Sequence, residues 1–218
     1  MSALLENGAR PDERSRYGYT PLIEAAREGK VDAVTILLEH GASVNASEDQ
    51  GGIALTFAAE EGHNKVAKIL LASGSTINNQ DGLGYTPLNY AAENGNTVLA
   101  TDLLKRGALT ELRTIPNDNE ATTLIKASSN GHNDMVTLLL AHGADIDVAK
   151  NFGYTALAEA AKHGRTNVVS TLLENGASVE NKEGYDTPLM LAAMYGQEEE
   201  VSLLLKQGAD PKVETKRY

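Results

Sequence analysis

The chain has 218 residues, with 19 Lys and Arg against 30 Asp and Glu, which leaves a formal net charge of −11 at pH 7. It contains no Cys and no Trp, so disulfide frameworks, thiolate zinc sites and cysteine nucleophiles are excluded. The acidic balance and the lack of a dense Lys/Arg run argue against nucleic acid as a partner.

The sequence also argues against membrane insertion. No apolar run reaches the roughly 20 residues that a bilayer-spanning helix needs. Residues 1–10 lack the charged-then-apolar order of a secretory signal. We therefore expect a cytoplasmic protein in a reducing compartment, and the same sequence is compatible with the nucleus or with the cytosol of a host cell.

One motif returns along the chain at a nearly constant period. It reads Gly18-Tyr-Thr-Pro-Leu-Ile-Glu-Ala-Ala-Arg-Glu-Gly29, and it recurs at 84–95 and at 153–164. With weaker copies included, its leucine recurs at steps of 33, 33, 36, 33 and 32 residues, as Leu22, Leu55, Leu88, Leu124, Leu157 and Leu189. A fixed period of this length indicates a repeat architecture.

Each repeat is predicted to contain two helices and a turn. Thr20-Pro21 is typical of a helix start, because the Thr hydroxyl caps the helix and Pro lacks only an N–H that would have no partner there. The first helix is expected to end at Gly29. A second helix with Val34, Leu37 and Leu38 on one face is expected to end at Gly41, and a polar hairpin then leads to the next repeat.

The repeats divide the whole chain into consecutive segments of one continuous domain. The expected segments are a partial N-terminal repeat at 1–17, repeat 1 at 18–50, repeat 2 at 51–83, repeat 3 with an extended loop at 84–119, repeat 4 at 120–152, repeat 5 at 153–184, and repeat 6 with a C-terminal tail at 185–218.

From Leu4 to Lys212 these segments resemble the ankyrin repeat. The resemblance implies an all-α repeat solenoid, an ankyrin-type stack of helix-turn-helix pairs joined by β-hairpin-like fingers, and a use in protein recognition. The family's usual His after the motif leucine is absent. Its place is taken by Ile23, Thr56, Asn89, Ile125, Ala158 and Met190, so we expect stacking to depend more on apolar contact.

Two repeats depart from the pattern. Repeat 2 has Ile53-Ala54 in place of Thr-Pro, so its first helix is expected to lack about 1 kcal/mol of capping stabilisation. The connection at 114–120 is three residues longer than its counterparts and is expected to protrude, although tolerated drift is the favoured explanation of the extra length.

Catalytic motifs are absent from the sequence. It contains no H-E-x-x-H, no phosphate-binding glycine loop and no G-x-S-x-G elbow, and each of the five His has a helix-end position in the repeat. We therefore expect no enzyme, no cofactor and no metal site.

The aromatic residues point to a binding face. Nine of the ten lie in the fingers or on the first helices, which the resemblance places on the concave side. The expected partner-binding residues are Tyr19, Glu24, Glu28, Phe57, Glu60, Glu61, Tyr85, Tyr90, Glu93, Lys126, Phe152, Tyr154 and Tyr195. For Tyr19, Tyr85 and Tyr154, packing of one finger on the next is an equally good interpretation.

Phe57 and Tyr90 occupy equivalent positions in repeats 2 and 3, and they are expected to form one apolar surface rimmed by Glu60, Glu61 and Glu93. The sequence thus favours a monomeric, non-enzymatic module that binds a protein or peptide with a basic and apolar segment. The alternative is a spacer or scaffold segment of a larger polypeptide, such as a bacterial host-directed effector or an enzyme whose catalytic domain lies elsewhere.

Overall fold

A computed structural model describes residues 8–115, 120–180 and 186–213. The chain forms two compact units, Met1–Leu109 and Thr110–Tyr218. Within the described residues there are twelve α-helices and no strand, and each of the six repeats contributes one helix pair. The predicted two-helix repeat is therefore confirmed.

Unit 1 contains repeats 1 to 3. Its helices are α1 Pro21–Arg27, α2 Val31–Glu39, α3 Ala54–Glu60, α4 Asn64–Ala72, α5 Pro87–Glu93 and α6 Thr97–Lys105. The first helices of the repeats, α1, α3 and α5, pack on one another in order, and the second helices do the same. Unit 1 is therefore two helical layers with the core between them.

Unit 2 contains repeats 4 to 6 and has the same two layers. Its helices are α7 Thr123–Asn130, α8 Asn133–Ala141, α9 Ala156–Lys162, α10 Thr166–Glu174, α11 Pro188–Met194 and α12 Glu198–Lys206. Here α7, α9 and α11 form the layer of first helices, and α8, α10 and α12 form the layer of second helices.

The helix starts follow the sequence signals. The hydroxyls of Thr20, Thr86 and Thr187 accept hydrogen bonds from backbone N–H groups in the first turn, and each of these three helices begins with Pro. At the start of α3, Ile53 provides no side-chain cap, and its own N–H donates to the Thr56 hydroxyl at 3.4 Å. Ile53 is also only 1% exposed, so it contributes to the core instead.

Glycine ends the helices and allows close approach between repeats. Gly29 has φ +65°, and a Cβ there would lie 2.7 Å from the imidazole of His63. That imidazole hydrogen-bonds through Nε2 to the Arg27 carbonyl at 3.0 Å. The first helix of repeat 1 is thus tied directly to repeat 2.

The motif leucines form the core of both units. Leu22, Leu55, Leu88, Leu124 and Leu157 are at most 2% exposed, and Leu189 is 8% exposed. Full burial of one such side chain contributes about 1.5–3 kcal/mol.

A ladder of side-chain hydrogen bonds also joins consecutive repeats. In each junction a side-chain oxygen from one connection accepts the backbone N–H that follows the second helix of the next repeat. The pairs are Asp12–Ser43 at 2.9 Å, Asn45–Thr76 at 2.8 Å and Asn78–Leu109 at 3.0 Å in unit 1, and Glu111–Asp145 at 3.1 Å, Asp147–Ser178 at 2.9 Å and Glu180–Asp210 at 2.8 Å in unit 2. The expectation that stacking relies mainly on apolar contact is therefore incomplete.

Some sequence predictions lie outside the described residues. They concern the half repeat beginning at Leu4, positions 116–119 of the long connection, and Tyr185 and Tyr218. The base of the long connection is described: the Thr114 N–H donates to the Ala121 carbonyl at 3.2 Å, and Thr114 is 2% exposed.

Candidate partner-binding site

We define the first-helix face of unit 1 as the exposed side of α1, α3 and α5 together with the fingers at 15–19, 48–52 and 81–85. Each finger is closed by a backbone hydrogen bond between its two ends, at 2.9, 2.9 and 3.1 Å respectively. The first residue of each finger also accepts a backbone N–H through its side chain. These acceptors are Ser15, Glu48 and Asp81. The fingers are therefore held in defined conformations.

Tyr19 and Phe57 form an aromatic pair on this face. Their ring centroids are 5.6 Å apart, and the Arg27 guanidinium lies 5.4 Å from the Tyr19 ring. A Cβ on Gly52 would lie 2.9 Å from the Phe57 ring, so the glycine lets that ring lie against the second finger. Both aromatic side chains are half-buried.

Tyr85 and Tyr90 form a second pair, with ring centroids 4.8 Å apart. The Tyr90 hydroxyl donates to Asp81 Oδ2 at 2.6 Å, which fastens the third finger to α5. Burial and this hydrogen bond raise the pKa of Tyr90 well above its ordinary value. Tyr85 is only 7% exposed, so at this position the packing interpretation applies and the residue is not an exposed anchor.

The proposed apolar centre is therefore built from two pairs of rings. The ring contact of Phe57 is with Tyr19, and that of Tyr90 is with Tyr85. A single surface joining Phe57 to Tyr90 remains a prediction.

Carboxylates crowd the space beside these rings. Partial burial raises the pKa of Glu60, and repulsion from Glu61, Asp81 and Glu93 raises it further, while Arg27 opposes the change. The Arg27 guanidinium is 2.7 Å from Glu24, so part of its charge is already compensated. Negative charge therefore prevails at this end of α3. The other predicted carboxylates of this face are Glu24 on α1, which pairs with Arg27, and Glu28, the exposed residue that follows α1.

The corresponding face of unit 2 comprises the exposed side of α7, α9 and α11 with the finger at 150–154. Lys150 stands where the unit 1 fingers have an acceptor, and its ammonium lies 3.1 Å from Glu159 Oε1. Glu159 is 2% exposed, so this carboxylate belongs to the interior and is not part of the exposed face.

Phe152, Tyr154 and Tyr195 lie on this face of unit 2, and the predicted residue Lys126 is half-buried on α7. The rings of Phe152 and Tyr154 are 6.5 Å apart. The Tyr154 hydroxyl donates to Asp186 Oδ2 at 3.0 Å, and burial together with this hydrogen bond raises the pKa of Tyr154 to about 12. Tyr195 is 52% exposed, and its ring lies 5.4 Å from the Lys162 ammonium.

Sequence reasoning missed the residues that organise the fingers. Asp81, Lys150 and Asp186 hold Tyr90, Glu159 and Tyr154 respectively. The sequence contained a signal for the role of Asp81, because Ser15, Glu48 and Asp81 are all polar residues seven positions before a motif leucine. Leu83 and Met194, at 50% and 59% exposed, were not among the predicted partner-binding residues.

The structure offers few other candidate sites. The described residues contain no group of three or more His, Asp or Glu side chains arranged to hold a metal ion. None of the helices in the described part of the chain combines the length and apolar character that crossing a bilayer requires.

Comparisons with known proteins agree with this architecture. The family model for ankyrin repeats in three copies matches residues 1–81, 55–150, 88–183 and 124–215. The chain therefore belongs to the ankyrin repeat family, and its fold is an all-α repeat solenoid.

The similar proteins include one curated relative and one solved structure. Ankyrin repeat and SOCS box protein 11 of Danio rerio is 36% identical over 87 residues, which cover 40% of this chain and only 30% of the relative. The crystal structure of the human ASB11 ankyrin repeat domain matches with a TM-score of 0.83 and 33% identity, over 91% of this chain and 88% of the solved one.

Proposed function

We propose that the chain binds a protein or peptide partner through the first-helix face of unit 1 and performs no catalysis itself. Ankyrin repeats are in general protein-interaction modules, which supports the class of function. One observation supports the choice of face: half-buried aromatic rings share it with a group of carboxylates, and partial burial together with repulsion from its acidic neighbours raises the pKa of Glu60.

The same observation defines the chemistry of the partner. A Lys or Arg side chain would relieve the repulsion among Glu60, Glu61 and Glu93, and an apolar side chain would pack on Phe57. An apolar centre with a charged rim is the usual arrangement of a binding hot spot. We therefore expect a partner segment that combines basic and apolar residues.

The test is a comparison of the parent chain with Phe57→Ala combined with Tyr90→Ala. Proteins retained by the immobilised parent are identified by mass spectrometry, and the affinity of each purified candidate is then measured. The double variant should lose measurable binding, because each anchor contributes about 2 kcal/mol or more. Circular dichroism checks that the variant keeps its helices.

Val98→Ala is the matched control, since Val98 is 60% exposed but lies on the second helix α6. It should bind like the parent. Equal binding by the double variant would refute the assignment of the face, and a parent that retains no specific partner would favour a spacer role.

A further inference from the structure

Three large apolar or aromatic side chains are exposed on the first-helix face of unit 2. Phe152, Met194 and Tyr195 are 60%, 59% and 52% exposed. Tyr154 lies beside Phe152, and Tyr195 is close enough to influence the pKa of Tyr154. These four residues are defined here as the unit 2 aromatic patch.

The conformation of Phe152 is unusual. Its φ is +65°, in the left-handed region that Phe rarely adopts, and among the described residues Glu120 is the other non-glycine with positive φ. Tyr17 and Leu83 hold the equivalent finger positions in unit 1 without this conformation. Strain of this kind clusters at functional sites, so the outward-facing ring requires an explanation.

The surroundings of Phe152 show what maintains the conformation. The Lys150 N–H donates to the Tyr154 carbonyl and the Gly153 N–H donates to the Lys150 carbonyl, both at 3.0 Å. The Lys150 side chain meanwhile points to the buried Glu159. The finger is thus fixed from inside while Phe152 stays exposed.

Charge on this face is mixed, whereas carboxylates dominate beside the rings of unit 1. Lys150 compensates Glu159, while Asp186 keeps its negative charge as it accepts the Tyr154 hydroxyl. The Lys162 ammonium lies over the Tyr195 ring, and within residues 8–115, 120–180 and 186–213 no carboxylate lies within ion-pairing distance of it. The Lys162 ammonium, which lies beside exposed rings, can therefore form an ion pair with a carboxylate of a partner.

We propose that the unit 2 aromatic patch binds a segment of a partner protein that carries an acidic residue next to a large apolar residue. The carboxylate pairs with Lys162, and the apolar side chain packs on Phe152 and Tyr154. The inference deepens the proposed function, since it also assigns partner binding, but it concerns a different unit and a segment of opposite charge.

Short random peptides displayed on phage are the probe, and the full chain is the immobilised target. The parent should enrich peptides with Asp or Glu near an aromatic or aliphatic residue. Lys162→Glu should shift the enriched peptides to Lys or Arg, because it reverses the one charge that selects the acid. Affinities of the best synthetic peptide are then measured on every variant.

Phe152→Gly tests the contribution of the Phe152 ring to peptide binding without a risk to the fold, because glycine adopts positive φ without strain. The melting temperature should not fall, while the dissociation constant of the acidic peptide should rise about tenfold or more, as expected for a lost anchor. Tyr17→Ala is the matched control, since Tyr17 is 64% exposed at the equivalent finger position in unit 1. It should leave the affinity unchanged.

Three results would overturn the inference: no enrichment by the parent, enriched peptides without an acidic residue, or the same peptides enriched by Lys162→Glu. The parent could instead enrich basic peptides whose binding is abolished by Phe57→Ala with Tyr90→Ala and is unaffected by Phe152→Gly. That result would uphold the proposed function and refute this inference. Acidic peptides whose binding is lost in Phe152→Gly, in the absence of any partner that depends on Phe57, would uphold this inference and refute the proposed function.

Discussion

Glu60 is a residue at which stability conflicts with the proposed role in binding. Because its pKa is raised in the folded protein, the folded state holds the proton more tightly than the unfolded chain does. The contribution of Glu60 to stability is therefore greatest below the pKa that the side chain has in the unfolded chain. It is lost as the pH rises through the higher pKa that the side chain has in the folded protein. At neutral pH the charged side chain therefore destabilises the fold, whereas the same charge would favour the proposed binding of a basic partner.

Glu60→Gln should raise the melting temperature near neutral pH and slow association with a basic partner. Solvent screening of this exposed group keeps the gain in unfolding free energy below about 0.5 kcal/mol. The gain should vanish at about pH 3, where the parent side chain is protonated in both states. Glu28→Gln, at the exposed residue that follows α1, is the control for the effect of net charge on the melting temperature; an equal rise there would assign the gain to net charge alone.

At the scale of elements, the helix pairs are held in register by the ladder of side-chain hydrogen bonds. Asn45 makes two of these bonds: Oδ1 accepts the Thr76 N–H at 2.8 Å, and Nδ2 donates to the Gly74 carbonyl at 3.2 Å. Asp12 and Asp147 serve as the acceptor in other junctions. An acceptor oxygen is therefore the feature that the junctions share.

We predict that Asn45→Ala lowers the free energy of unfolding by about 1 kcal/mol, as measured by urea denaturation. Asn45→Asp should lose less, because it keeps the acceptor and removes only the donor. If the two variants were equally destabilised, the amide donor would be the important group and the ladder would have to be reinterpreted.

The sequence predicted these elements well and their side-chain contacts poorly. Thr-Pro starts, glycine ends and the buried motif leucines located the helices because all three act within one repeat. The contacts of Lys150 with Glu159 and of Tyr90 with Asp81 each join a finger to a helix nine residues away. Repeat position does not specify the direction of a finger side chain, so the sequence left open whether Tyr85 is buried or exposed.

For the whole molecule, the excess of negative charge acts on folding and on binding with opposite signs. A net charge of −11 disfavours the compact state through self-repulsion. Exposed ion pairs such as Arg14–Asp49 at 3.6 Å and Lys68–Asp102 at 3.5 Å return little of this cost, because surface pairs contribute about 0–1 kcal/mol. The same field would attract the cationic partner proposed for unit 1 and would raise its rate of association.

Raising the ionic strength from about 0.01 M to about 0.15 M should therefore stabilise the chain and slow its association with the unit 1 partner. The Debye length falls over this range from about 30 Å to about 8 Å, which screens the repulsion within the protein and the attraction between the two molecules alike. We expect a higher melting temperature by calorimetry and an association rate reduced about tenfold by stopped-flow fluorescence. Replacing Glu60, Glu61 and Glu93 with Gln should flatten the salt dependence of the rate while the melting temperature still rises with salt. An association rate that is independent of salt in the parent would mean that the partner segment is not basic.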